Sequence, residues 1–304
     1  MSGSAQHPVT FNEFIRNRVR VLPIDPVIVR TADKLAVKDW TTEVSGGRIH
    51  CVPARDPHTS ENFVLKPNHT SGLIVIVKDG VVVLADRAPG IKVGDSVQQV
   101  RDKYDALVDA WANYYSQPSR KDTRERWYKH IPFGVVCEAL LSDPRDPRCV
   151  TPDYKFHVFG GKVELVQIHY ARTGPARHTA VHLDRNFKLV RGVSITNPQS
   201  KVRLISNQAD VPSKPPTWDT MIKYAEYLAR KWAYVRVDFY ENDKPDEADP
   251  PGPYLSEMTF SPNAGWCTLR PAPLQRSWGD KWRSANIALL MPWAPKYNPT
   301  DLEK

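Results

Sequence analysis

Two hydrophobic patterns alternate along the chain, and the first of them predicts β-hairpins. Runs of β-branched and aromatic residues lie on either side of Asp79–Gly80, within residues 73–85, and of Gly160–Gly161, within residues 154–169. Two adjacent residues that tolerate positive φ, placed between two such runs, are a strong signal of a tight hairpin turn. The sequence therefore predicts two hairpins.

The second pattern has the period of a helix. Apolar residues recur every three or four positions over Asp95–Tyr115 and again from Trp218 to Trp232, which predicts two helices that are buried on one face. Thr217 is placed to cap the second of them, and a third helix is expected over Ala32–Trp40. Hairpins that alternate with helices predict an α+β protein with two lobes, each containing a sheet.

Composition narrows the class of protein. The 304 residues are 41% hydrophobic and 25% charged, which excludes a largely disordered chain. We expect a cytoplasmic protein without a membrane span, because no long apolar run and no secretory signal is visible. The formal net charge is +8. Because the lysines and arginines are dispersed, this excess favours a pocket for an acidic or phosphorylated small molecule over a nucleic-acid-binding arm.

A candidate phosphate-binding segment lies at Phe63–Gly72. It combines an apolar strand containing Lys66 with a loop of Pro, Asn, His, Thr, Ser and Gly. A positive charge beside a loop rich in backbone N–H groups and hydroxyls suits phosphate oxygens. The spacing is not that of a Walker A loop, and an ordinary polar hairpin loop is the alternative interpretation.

Two later strands carry acidic residues. In the first, strict alternation places Arg236 and Asp238 on one face. In the second, alternation places Leu255, Glu257 and Thr259 on one face. If the two strands pair antiparallel, the two acids converge, and converging carboxylates are suited to Mg²⁺. The alternative is that both acids lie on a solvated sheet face.

Two further charged residues are candidates for nucleotide binding. Lys155 shares a strand face with His157, and it is either a lysine that extends past the sheet edge or a second phosphate-binding group. Glu138 follows an apolar strand, and it is either a surface residue or an acceptor for the hydroxyl or amino groups of a nucleotide. Each signal is modest alone, and the order of the signals along the chain is more informative.

In that order the segments resemble the TupA-like ATP-grasp family, which is named from teichuronopeptide biosynthesis. The resemblance spans residues 10–282, nearly the whole chain. The segments that carry it are TFNEFI (10–15), DKLAVKDW (33–40), FVLKPNHTSG (63–72), WYKHIPFGVVCEALL (127–141), PDYKFHVFGGK (152–162), YVRVDFYE (234–241) and LSEMTFSPNAG (255–265).

The resemblance implies an ATP-grasp fold, in which two α+β lobes hold a nucleotide between antiparallel sheets. It implies an N-terminal arm over residues 1–30, an N-terminal lobe over 31–135 and a C-terminal lobe over 136–304. ATP and Mg²⁺ are the implied cofactors. The implied site residues are Lys66 and Lys155 for phosphates, Asn68, His69, Thr70, Ser71 and Gly72 for a covering loop, Glu138 for adenosine, Asp238 and Glu257 for magnesium, and Arg236 near the transferred phosphate. Many ATP-grasp enzymes have asparagine where this chain has Thr259, and Asn263 is a substitute metal ligand.

The implied activity is an ATP-dependent ligation of a carboxylate to an amine through an acylphosphate, with Arg236 and Lys66 as catalytic residues. The expected substrates are acidic, for example an amino acid, a peptide or a surface-glycan precursor, and not nucleic acid. A kinase on the same fold and a non-enzymatic binder of an anionic polymer are the alternatives. Further candidates are His69, His157, His169, Arg172 and Arg177 for the acceptor side, and Trp266 and Trp278, expected in loops, for a substrate surface.

Overall fold

The computed structural model describes residues 9–20, 23–69, 72–116, 125–143, 146–171, 177–196, 202–242, 251–289 and 296–303. Thr70, Ser71 and Arg172 lie outside the described residues. The helices are α1 (Phe11–Arg20), α2 (Pro26–Ala32), α3 (Ala36–Ser45), α4 (Val97–Asp102), α5 (Tyr104–Ser116), α6 (Trp218–Ala229) and α7 (Ala272–Leu289), with short 3-10 turns at Arg126–His130, Gln208–Asp210, Pro262–Gly265 and Pro299–Leu302. The strands are β1 (His50–Cys51), β2 (Phe63–Pro67), β3 (Ile74–Lys78), β4 (Val81–Asp86), β5 (Val135–Ala139), β6 (Ser142–Asp143), β7 (Asp146–Val150), β8 (Asp153–Phe159), β9 (Lys162–Tyr170), β10 (Thr179–Leu183), β11 (Ser194–Thr196), β12 (Arg203–Leu204), β13 (Tyr234–Asn242), β14 (Gly252–Thr259) and β15 (Thr268–Arg270).

The larger sheet has seven strands in the order β1-β14-β13-β8-β9-β10-β12. Its neighbours are antiparallel except for the outer pairs β1–β14 and β10–β12, which are parallel. One face packs against α6, where the rings of Trp218 and Phe156 lie 5.7 Å apart and Val237 is fully buried. Because side chains alternate across a strand, the polar residues between these apolar ones point to the opposite face.

The smaller sheet has four antiparallel strands in the order β4-β3-β2-β5. Its apolar face packs against α4 and α5, with Phe63, Val75, Leu107 and Trp111 among the buried residues. β5 runs past residue 135 and pairs with β2, so the smaller sheet extends to Ala139. The two sheets and their helices confirm the α+β class.

The N-terminal helix α1 packs against the larger sheet and α7. The ring of Phe11 lies 4.8 Å from that of Tyr234 and 5.0 Å from that of Trp278. A Cβ added at Gly279 would lie 2.1 Å from the carbonyl oxygen of Val9, so glycine is needed where the chain crosses this helix. No helix in the described parts of the chain is long and apolar enough to cross a membrane.

The hairpin predictions are confirmed as β3–β4 and β8–β9, with positive φ at Asp79–Gly80 and Gly160–Gly161. The expectation that Trp278 lies in a loop at a substrate surface is wrong, because it lies in α7 and is 1% exposed. It shares a buried helical stripe with Trp282 and Ala285, a spacing typical of a core-facing helix.

The predicted helix boundaries are only partly confirmed. Asp95–Tyr115 divides into two helices at Lys103, and the first begins with a capping box at Ser96. Ala32–Trp40 contains a turn instead of a helix start, because the Asp33 carboxylate accepts the Leu35 N–H at 2.9 Å and α3 begins at Ala36. The hydroxyl of Thr217 donates to Glu241 at 2.6 Å instead of capping α6.

Candidate active site

Three charged residues from adjacent strands form a row on the polar face of the larger sheet. Asp238 of β13 is directly opposite Lys155 of β8 and directly opposite Glu257 of β14. Residues opposite each other on neighbouring strands point to the same side of the sheet. The predicted convergence of Asp238 and Glu257 is therefore confirmed, and Lys155 joins them.

Arg236 connects the two acids of this row. Its Nε and Nη2 donate to the two carboxylate oxygens of Asp238 at 2.7 and 2.6 Å, and Nη2 also donates to Glu257 Oε1 at 2.8 Å. The Thr259 hydroxyl accepts from Arg236 at 3.0 Å and donates to Glu257 at 2.7 Å. Lys155 Nζ lies 2.8 Å from Asp238 Oδ2. The five groups form one connected network of charge-assisted hydrogen bonds.

The prediction that Leu255 shares a face with Glu257 is wrong. Asp238 pairs with Glu257 and the next residue, Phe239, pairs with Leu255, so Ser256 is an extra residue in β14. A β-bulge of this kind reverses the alternation of the side chains that follow it. Leu255 consequently lies in the core, while Glu257 lies on the polar face.

Electrostatics favour the charged forms of Glu257 and Arg236, whereas burial raises the pKa of Asp238 against the opposing charges of Arg236 and Lys155. Burial alone would raise the pKa of Glu257, but the charges of Lys34 and Arg236 outweigh it and hold the pKa well below the ordinary value. Burial lowers the pKa of Arg236, and Asp238 and Glu257 outweigh that effect, so the guanidinium stays charged.

A second charged group lies on the smaller sheet. The Glu138 carboxylate of β5 lies between Lys66 of β2, at 2.6 Å, and Lys38 of α3, at 2.7 Å. The side chain of Glu138 is only 2% exposed. Burial raises its pKa, but the two lysines outweigh burial and keep the pKa below the ordinary value. The structure therefore brings the predicted Lys66 and Glu138 into direct contact.

Lys34 is a site residue that sequence reasoning missed. It lies in the turn between α2 and α3, its side chain is 10% exposed, and its Nζ is 3.9 Å from Glu257 Oε2. Burial lowers its pKa, and Lys66 contributes in the same direction while Glu257 opposes. The only sequence signal was the pair of lysines within residues 33–40. The position of Lys34 beside Glu257 of the larger sheet depends on tertiary structure.

The start of the predicted covering loop is built into the protein interior. The Asn68 amide donates to Asp33 at 2.8 Å and to the Pro132 carbonyl at 3.0 Å, and its oxygen accepts the Gly134 N–H at 3.0 Å. His69 is also buried, and burial, together with Lys34, lowers its pKa to about 4.

The rest of that loop is described in part. Gly72 is exposed and has a φ of 78°, a conformation that favours glycine. Thr70 and Ser71 lie outside the described residues. Phosphate binding by Asn68, His69, Thr70, Ser71 and Gly72 stays a prediction.

Asn263, the predicted substitute metal ligand, lies in the exposed turn that follows β14. Arg16 of α1 donates to the Gly265 carbonyl at 3.0 Å and fixes this turn. Among the described residues, no three His, Cys, Asp or Glu side chains are grouped so that they could hold a metal ion. Metal binding by Asn263 stays a prediction.

The candidates for the acceptor side lie in different places. His157 is buried directly opposite Arg236 on the neighbouring strand, its Nδ1 is 3.0 Å from the Tyr234 hydroxyl, and burial lowers its pKa well below the ordinary value. His169 contacts His178 through ring nitrogens 3.0 Å apart. The remaining described candidates are Arg177, which is exposed, and Trp266, which is 51% exposed with Arg16 over its ring.

Glu125 is a second residue that sequence reasoning missed. It immediately precedes the 3-10 turn Arg126–His130, and its carboxyl accepts a hydrogen bond from the Ser261 hydroxyl. Burial and the charge of Glu257 raise its pKa to about 8, while Lys34 and Arg236 act in the opposite direction. No sequence pattern distinguished it from the other charged residues near position 120.

Comparison with known proteins identifies a family. The family model described as TupA-like ATP-grasp matches residues 54–283, which include all but the two most N-terminal of the resembling segments. No match to the chain was found among curated proteins.

Solved structures of similar shape include three ligases or macrocyclases. D-alanine–D-alanine ligase from Bacillus anthracis, complexed with ATP, is 14% identical, with a TM-score of 0.39, over 85% of this chain and 65% of that chain. The ATP-grasp ligase PsnB, complexed with a phosphomimetic precursor variant, Mg and ADP, is 10% identical, with a TM-score of 0.38, over 86% and 61%. Macrocyclase MdnC from Microcystis aeruginosa, bound with precursor peptide MdnA, is 8% identical, with a TM-score of 0.40, over 90% and 68%. The chain thus spans less than two thirds of the length of the first two.

Proposed function

The chain belongs to the TupA-like ATP-grasp family, and on that premise we propose that it is an ATP-dependent ligase that joins a carboxylate to an amine. Its fold is the ATP-grasp fold, and its two largest sheets have seven and four strands. The activity, the substrates and the roles of the residues are part of the proposal.

The observation that carries the proposal is that cations of the larger sheet, of the smaller sheet and of the turn before α3 lie around the two acids Asp238 and Glu257. The region between the polar face of the larger sheet and the smaller sheet, where these cations lie, is called the cleft. Arg236 and Lys155 extend from the larger sheet, and Lys34 approaches Glu257 from the turn before α3. Lys66 of the smaller sheet is close enough to Lys34 to lower its pKa. Cations held together in this way suit a ligand with several negative charges, such as a triphosphate.

The proposed chemistry has two steps. A carboxylate does not react with an amine near neutral pH, because it would have to expel oxide. In the first step a carboxylate oxygen bonds to the γ-phosphorus of ATP as the bond from that phosphorus to ADP breaks. In the second step the amine attacks the acyl carbon and inorganic phosphate leaves. The protein contributes positioning and charge neutralisation to both steps.

Each site residue has a role in this proposal. The roles are charge neutralisation at the transferred phosphoryl group for Arg236 and Lys66, phosphate binding for Lys155 and Lys34, adenosine binding for Glu138, and exclusion of water by the loop Asn68–Gly72. Both carboxylate oxygens of Asp238 accept hydrogen bonds from Arg236, whose side chain is 15% exposed, and this supports a guanidinium that is fixed before the reaction begins.

The donor set of the larger sheet fits a magnesium ion. Arg236 Nη2 lies 2.6 Å from Asp238 Oδ2 and 2.8 Å from Glu257 Oε1, so both carboxylates already converge on one positive group. Carboxylate oxygens are the ligands that Mg²⁺ prefers. Asp238 and Glu257 would hold the ion, with Asn263 as a further ligand. When bound, magnesium would neutralise charge on the transferred phosphoryl group.

We place the substrates among acidic small molecules or peptides, such as an amino acid, a peptide or a surface-glycan precursor. The net charge of +8 supports attraction of a second anionic molecule in addition to ATP. A cytoplasmic location is part of the proposal, because ATP is supplied there.

The experiment is a measurement of ADP release with Mg-ATP against a panel of carboxylates and amines, with the products weighed by mass spectrometry. We expect ADP release that needs both a carboxylate and an amine. The product should have the mass of the carboxylate substrate plus that of the amine minus one water. ADP release without an amine, together with a stable phosphorylated product, would contradict ligation and favour the kinase alternative. The control variant is Asp219→Asn, which should keep the wild-type rate, since the exposed Asp219 carboxylate of α6 forms a salt bridge with Lys214 on the surface.

A further inference from the structure

Glu125 lies beside the proposed reaction centre, and none of the roles above uses it. Its carboxyl accepts a hydrogen bond from Ser261. Glu257 of β14, Lys34 of the turn before α3 and Arg236 of β13 all act on it electrostatically. The backbone that carries Glu125 is anchored, because Trp127 of the following 3-10 turn is buried in the core of the larger sheet.

The direction of the strands shows where Glu125 lies along the cleft. Tyr240, at one end of β13, contributes to a buried cluster with Ala139 of β5, next to Glu138. Moving away from that end, the polar face carries Asp238 and Glu257, and then Arg236 opposite Thr259.

Ser261 lies two residues beyond Thr259 in the same direction, and it holds Glu125. If adenosine binds near Glu138 and the phosphates bind near Asp238, Glu125 lies beyond the phosphates. That is the end of the cleft at which the acyl carbon would be attacked.

The second step of the proposed ligation needs a proton acceptor at this place. An amine nitrogen that attacks a carbonyl carbon gains a positive charge as the C–N bond forms. The nitrogen must lose a proton before the amide is complete, since the amide carries one hydrogen fewer than the amine. A carboxylate within hydrogen-bonding reach of the nitrogen is a suitable group.

We propose that Glu125 receives the attacking amine and accepts its proton, as a catalytic base for the ligation. The nitrogen lone pair forms the bond to the acyl carbon, the bond from that carbon to the phosphate oxygen breaks, and the phosphate leaves with the electron pair. The proton passes from nitrogen to a carboxylate oxygen of Glu125, which later releases it to solvent. This inference rests on the proposed ligase activity.

The environment of Glu125 supports this role. Burial and Glu257 raise its pKa to about 8, and Lys34 and Arg236 limit the increase. A base works best when its pKa is near the working pH, since it is then both available and strong enough. Glu138, which is fixed between two lysines, has its pKa shifted in the opposite direction and is unsuited to accept a proton.

The test compares two nucleophiles in the Glu125→Gln variant. Hydroxylamine is mostly unprotonated at neutral pH and traps an acylphosphate as a hydroxamate with little help from a base. The amino acids, used as the amine panel, are mostly protonated and need a base. The carboxylate panel consists of amino acids and dicarboxylic acids, with Mg-ATP. Glu43→Gln is the matched control, since Glu43 lies on the exposed side of α3.

We expect Glu125→Gln to lower amide formation about a hundredfold and hydroxamate formation by less than about tenfold. Equal losses in both reactions, or no loss in either, would overturn the role of Glu125. Wild-type protein that forms neither amide nor hydroxamate would contradict the ligase proposal itself, so the two failures are distinguishable. If Glu125→Gln does not fold, Ser261→Ala is used, because it removes the hydrogen bond that holds Glu125. We then expect a smaller decrease in the ratio of amide formation to hydroxamate formation. An unchanged ratio would contradict the role of Glu125.

Discussion

The two charged clusters of the cleft differ in how completely their acids are enclosed. In the Glu138 cluster, which consists of Glu138, Lys38 and Lys66, one lysine binds each oxygen of a carboxylate that is 2% exposed. In the Asp238 cluster, which consists of Asp238, Glu257, Arg236 and Lys155, Asp238 is 1% exposed but the Glu257 side chain is 32% exposed. The first cluster joins β2, β5 and α3, and the second presents the Glu257 carboxylate to the cleft.

This difference indicates different energetic roles. Removing one partner from an enclosed ion pair leaves an uncompensated charge in a medium of low polarity, which lowers the free energy of unfolding. An accessible cluster can exchange its internal ion pairs for contacts with a ligand. We therefore expect substitutions in the Glu138 cluster to lower stability in addition to activity, and substitutions in the Asp238 cluster to lower mainly activity.

The largest effect is expected from the Asp238 cluster. Asp238→Asn and Glu257→Gln each remove a carboxylate proposed to hold magnesium, so turnover should fall about a thousandfold or more. The rate of ADP release measures this, with Asp219→Asn as the control. Rates close to wild type in either variant would refute the metal assignment.

The next largest effect is expected in the Glu138 cluster and concerns stability. Glu138→Gln leaves Lys38 and Lys66 without their counter-charge and should lower the free energy of unfolding by about 4 kcal/mol. Urea denaturation measures this, and Glu43→Gln on the surface should change it by less than about 0.5 kcal/mol. If the unfolding free energy of Glu138→Gln is within about 0.5 kcal/mol of the wild-type value, the Glu138 cluster does not stabilise the fold.

The pH dependence of stability separates Glu138 from Glu125. The pKa of Glu138 is lowered on folding, so its contribution is present above its ordinary pKa of 4.5 and is lost as the pH falls. The pKa of Glu125 is raised to about 8, so its contribution is present below 4.5 and is lost as the pH rises to about 8.

Glu125→Gln should consequently remove the decline in stability that the raised pKa of Glu125 produces between those two pH values. Urea denaturation at a series of pH values measures the decline in the wild type and in the variant. Parallel pH profiles would contradict the raised pKa of Glu125.

The smallest effect is expected from Lys34, which acts across the cleft. Lys34→Met removes one cation proposed to bind phosphate and should raise the KM for ATP about tenfold. Steady-state kinetics measure it, with Lys214→Met on the exposed surface as the control. If both variants keep the wild-type KM, Lys34 does not contact the nucleotide.

Local patterns were sufficient to predict parts of both sheets. Glycine or aspartate at positive φ located both hairpins, and period-two alternation placed Arg236 and Asp238 together on one face of β13. Pairing of β13 with β14 then followed from their order along the chain. These features depend on residues that are close in sequence.

The features that sequence reasoning missed depend on distant parts of the chain. The bulge at Ser256, which turns Leu255 into the core, is set by pairing across two strands. Lys34 lies 3.9 Å from Glu257, and Glu125 is close enough for Glu257 to raise its pKa, only because separate segments of the chain fold over the same sheet. No periodic pattern in the neighbouring sequence identifies such residues.

The most direct test of the ligase proposal follows the carboxylate oxygen. Carboxylates of the panel are labelled with oxygen-18 and incubated with the protein, Mg-ATP and the amine panel, and the inorganic phosphate is then weighed. An acylphosphate route transfers one labelled oxygen to each phosphate released, and we predict that result. Inorganic phosphate released without the label, at the same rate as ADP, would contradict ligation through an acylphosphate.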